Sequence, residues 1–86
     1  MIVAEKKYEG IIVRIEYDIS VSNPQYEVDL YDGQISANHL IKSHRFNVLE
    51  EAVDWATVAL QDIVRHREDI IKKMNTLKED GWVIRA

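Results

Sequence analysis

The sequence predicts an α+β domain: a three- or four-stranded antiparallel meander packed on one long C-terminal helix. Three observations carry this. Apolar residues recur at every second position up to about residue 41. From residue 48 onward they recur every three or four. Between those regions stands "SHRFNVLEEAVDWA", a junction of polar, acidic and aromatic side chains.

Ile11, Val13, Ile15, Tyr17, Ile19 and Val21 alternate with Ile12, Arg14, Glu16, Asp18 and Ser20. This predicts a first strand over about 8–21 with one buried and one wet face. Residues 2–7 either extend it or fray. "SNPQ" at 22–25 reads as a turn, because proline cannot donate to a ladder. Tyr26, Val28 and Leu30 form the apolar side of a second strand over 26–31. Asp32-Gly33 is a short-hairpin signal, and a weaker third strand follows over 34–41.

Asn47 is the expected N-cap, with Glu50 as its capping-box partner. No glycine or proline occurs from Val48 to Asp80, and Gly81 is the stop signal. A helix over 48–80 is expected, with a short tail at 82–86. A break near 65–69 is the alternative to continuity. The i,i+4 pairs Glu68/Lys72 and Asp69/Lys73 favour continuity. Leu49, Val53, Ala56, Leu60, Ile63, Arg67, Ile70, Met74 and Leu77 alternate spacings of four and three. Such a heptad-like seam is longer than the sheet can cover. Leu60, Ile63, Arg67, Ile70, Met74 and Leu77 are therefore the expected self-association residues, making a homodimer through the helix.

The 86 residues fit one domain over 1–86, with 47% hydrophobic and 30% charged side chains. With no cysteine, the chain has neither disulfides nor thiolate chemistry. No apolar leader begins it and no run approaches a spanning helix, so a cytoplasmic location and no membrane partner are expected. Net charge is −4; residues 1–54 hold ten acids against five bases. That balance argues against a nucleic-acid partner, which needs a basic face.

No catalytic constellation emerges. His39 and His44 are five apart, which suits one face of neither helix nor strand, so no metal site is expected. Three scattered glycines make no phosphate loop and no cofactor is expected. The chain reads as a non-enzyme. Glu16, Asp18, Glu27 and Asp29 share the predicted outer face of the sheet. With Asp32, Glu50, Glu51 and Asp54 they would form one negative field for a basic protein surface, and Trp55 would anchor the contact.

The order of strands before "LEEAVDWATVAL", with "KEDGWVI" after the helix, resembles the HicB-like antitoxins. Those proteins often open their helix with a similar acidic stretch. The resemblance spans about 8–84 as a pattern and implies binding of a cognate protein. In place of that family's Pro-Gly-rich segment this chain has "IKSHRFN". Size and layout are also similar to small phage inhibitors of the anti-CRISPR kind, which work by occupying a surface. The expected function is accordingly a phage or mobile-element inhibitor of a host defence or regulatory protein, with an antitoxin-like regulator as the alternative.

Overall fold

The computed structural model describes residues 1–19 and 25–83. It shows an α+β fold. Strands β1 (Ile2–Tyr8), β2 (Ile11–Asp18), β3 (Gln25–Asp32) and β4 (Leu40–Phe46) form an open antiparallel sheet in the order β1-β2-β3-β4. One helix, α1 (Leu49–Glu79), crosses the sheet and runs on past it. The helix is continuous through 65–69, because nothing in that stretch removes a backbone hydrogen bond.

The period-two alternation on β2 and β3 is realised. Ile11, Val13, Ile15, Val28 and Leu30 are buried against α1. The helix meets them with Ala52, Ala56, Ala59 and Leu60. Three alanines on that face let the helix axis come close to the sheet. Tyr26, Phe46, Leu49, Trp55, Ile63 and Val64 close the margins of this small core.

Three boundaries differ from expectation. Residues 2–7 neither extend β2 nor fray; with Tyr8 they form a separate strand antiparallel to it. Glu9 and Gly10, both at positive φ (49° and 79°), make the two-residue turn between them, as the twist of a tight hairpin requires. The predicted third strand at 34–41 is displaced to Leu40–Phe46. Gly33, at φ 75°, turns the chain, and a 3-10 turn at Ala37–His39 intervenes, with Ser36 Oγ 2.6 Å from His39 Nδ1. The expected Asn47 cap is also corrected: Val48 occupies the N-cap position, and no side chain caps the helix. Ser20 and Val21 of the predicted first strand, the turn residues 22–24 and tail residues 84–86 lie outside the described residues.

The far end of the sheet is tied together by its turns. Gly33 N donates to Gly10 O at 2.7 Å, joining the β1–β2 and β3–β4 connections. Arg67 reaches both turns from the helix. Its Nη1 donates to Glu9 O at 3.1 Å and its Nη2 to Asp32 Oδ1 at 2.6 Å. Arg67 is thereby engaged within the chain, which corrects its expected place in a self-association seam. Past Arg67 the helix has no sheet beneath it, and the molecule measures 58 × 22 × 18 Å.

Candidate protein-docking groove

α1 packs on β3, β2 and β4, whereas all seven residues of β1 remain exposed. The helix runs so far towards β4 that an open groove of about 590 Å³ is left between it and β1. Val13 and Ile15 of β2 are its floor. Ala4, Lys6 and Tyr8, one alternating face of β1, make one wall. Val53, Thr57, Leu60, Gln61 and Val64 make the other, at the i, i+4, i+7 spacing of a single helical face. The lining is mostly apolar, with Arg65 and Glu68 where it runs towards the Arg67 end. Such a concavity has the shape and lining to accept apolar side chains.

The free edge of β1 is blunted. Its register to β2 shifts between Ile2 and Ala4, and Lys6 and Lys7 stand along it. A bulge and lysines both oppose the addition of a further strand. The groove beside the edge is thus the better docking feature than the edge itself.

The acids expected to make one negative field do not form one, and Asp32 is engaged by Arg67. Register pairs place Glu16 beside Glu27, Arg14 beside Asp29, and Asp29 beside Ser43 on the sheet face away from α1. Two arginines are interleaved there. Arg14 pairs with Glu5 at 3.0 Å and with Glu16 at 3.7 Å, and Arg45 with Glu27 at 3.3 Å. Asp18 lies on the same face, opposite Gln25, and also has an interaction partner. Asp29 is 7% exposed and accepts from Ser43 Oγ at 2.6 Å. It is an internal acceptor and not a contact for a partner. Burial raises the Tyr31 hydroxyl above its ordinary pKa; neighbouring Asp29 adds to the rise and Arg14 opposes it.

Glu50, Glu51 and Asp54 are exposed on α1, in the other layer of the molecule. Glu50 and Asp54 continue the stripe of Thr57, Gln61, Arg65 and Glu68, so the groove wall becomes acidic towards the helix N-terminus. Trp55 lies on the opposite flank, against β4. It stacks on His44 at 5.5 Å and meets Phe46 at 5.7 Å, with Lys42 Nζ 5.9 Å above its ring. This half-buried cluster seals the β4 side of the core. Trp82, just past the helix, is 66% exposed.

The expected seam is likewise divided. Leu60 is buried in the core and Ile63 packs against it, so neither is free to pair with a second helix. Ile70, Met74 and Leu77, at 37%, 39% and 41% exposure, are accessible. Among the described residues, no three His, Cys, Asp or Glu side chains are grouped to hold a metal, and no helix is long and apolar enough to cross a membrane. No protein family, curated protein or solved structure matches this chain.

The groove residues Ala4, Tyr8 and Val64 were missed by sequence reasoning, and Val53 was read as part of the helical seam. The available signal was Gly10, which takes positive φ at no steric cost in a tight turn. Recognising it would have made residues 2–8 a strand beside the helix.

Proposed function

We propose that this chain is a non-catalytic protein-binding module that acts by occluding a surface of its partner. The observation that carries this is the open apolar groove between β1 and α1. An enclosed core would have buried Val53 and Tyr8, yet they are 44% and 47% exposed beside it. The acidic continuation through Glu50 and Asp54 suits a partner whose apolar anchor is followed by basic residues. The specific role we propose is that of a phage or mobile-element inhibitor acting in the cytoplasm on a host defence or regulatory protein. The exposed acidic helix start supports the second reading, an antitoxin-like regulator of a cognate protein.

Affinity capture from host lysate tests the groove with three baits: the natural chain, Val53→Arg and Glu27→Lys. Val53→Arg fills the groove with a charge at an exposed helical position, so circular dichroism should remain unchanged. One protein should be retained by the natural chain and Glu27→Lys and lost by Val53→Arg. Equal retention by Val53→Arg, or loss with Glu27→Lys alone, moves the contact to another face and overturns the groove assignment. Absence of any retained protein counts against the binding function itself.

A further inference from the structure

We propose that the overhanging part of α1 pairs antiparallel with the same segment of a second copy. Its apolar contacts, Ile70, Ile71, Met74 and Leu77, do not line the groove. The sheet-facing stripe Ala52, Ala56, Ala59 and Ile63 continues, at the same helical phase, as Ile70, Met74 and Leu77. Within the sheet this stripe is covered; beyond Arg67 it is exposed. Ile71 flanks it at 58% exposure. The helix therefore presents two stretches of one apolar face, and only the first has a cover within the chain.

The sheet determines the direction of the second copy. It occupies the seam side of α1 up to Arg67, so a parallel copy would have to enter the space the sheet already fills. An antiparallel copy lies in the same layer as the sheet but beyond its end. The two-fold axis then falls near Lys72 and Lys73, with Ile70 against Met74 of the second copy and each Leu77 approaching the other Arg67 end. Charge order at the two ends of the segment agrees, against the repulsion of the lysines that meet near the axis. The segment begins with Arg65 and His66 and ends with Glu79 and Asp80. Antiparallel pairing sets these opposite ends together, and brings Glu68 and Asp69 towards Lys78. Trp82, whose N–H caps Leu77 O at 3.0 Å, is carried to the partner's turn end. With the stems of the flanking lysines, the contact is small, which fits a weak dimer in the micromolar range.

Sedimentation equilibrium at tens of micromolar tests the assembly. The natural chain should be a dimer. Met74→Glu, at an exposed helical position, should keep its helical content and dissociate at least about 100-fold more readily, tenfold for each copy of the substituted residue. The cysteine-free chain allows direct mapping of direction. Lys73→Cys, near the axis, should form an intermolecular disulfide on oxidation, and Leu77→Cys should not. A monomer at several hundred micromolar overturns the proposal, as does a dimer indifferent to Met74→Glu. Crosslinking of Leu77→Cys in preference to Lys73→Cys overturns the antiparallel direction.

Discussion

Two residues show how a local departure from pattern acquires a measurable effect. Glu9 holds a left-handed conformation that a side chain other than asparagine, aspartate or glycine adopts at a cost. It does so because the β1–β2 hairpin has only two turn residues, and because Arg67 bonds the resulting carbonyl. Glu9→Asn keeps that carbonyl and creates the preferred Asn-Gly turn. We expect a gain of about 0.5–1 kcal/mol, read as a rise in Tm of about 3–6 °C. Tyr31 gives the pH dependence. Its folded-state pKa is raised, so the contribution of the protonated hydroxyl is fully present below the unfolded value and is lost as pH rises through the folded one. Urea unfolding between about pH 8 and 11 should show Tyr31→Phe losing less stability than the natural chain above about pH 10. Equal slopes would remove Tyr31 from that role. Neither the Tyr31 environment nor the burial of Asp29 was legible along β3 alone. The cover comes from Arg14 and Ser43, supplied by neighbouring strands once the register is set.

At the scale of elements, legibility follows how one-sided the burial is. β2 and β3 pack one face on the helix, and their apolar residues alternate accordingly. β1 reads IVAEKKY and buries neither face, so no period was written into it. β4 is exposed at six of its seven positions, and its register followed the turn at Gly33 and the 3-10 segment instead. The helix was the clearest element because a breaker-free run of this length has few other outcomes. Its start was misplaced by one residue. Val48 is the N-cap, extended at φ −124° and ψ 129°, with Glu51 three residues on. Val48→Ser would therefore create the capping box that Asn47 and Glu50 were expected to form. Val48 is 46% exposed, so little burial is lost. Chemical denaturation should report about 1 kcal/mol of added stability, while Asn47→Ala should change it by less than about 0.5 kcal/mol.

At the scale of the molecule, the groove and the overhang both result from where a long helix lies on a short sheet. Displacement towards β4 opens the groove beside β1; length past Arg67 leaves the distal face bare. Composition recorded that apolar side chains were plentiful, but which of them lack cover is decided by the helix's lateral position, and no periodicity encodes that. The acidic balance was similarly real without forming the expected single field, because Arg14 and Arg45 sit within it on the sheet and the helical acids belong to the other layer. The bond from Arg67 to the two glycine turns has a further consequence. Each α-helical residue rotates the chain by about 100°, so this contact acts as an index mark that fixes the angular phase of everything distal to it. One residue inserted between Leu60 and Arg67 would swing the overhang through more than a quarter turn, whereas seven would return it to within about 20°.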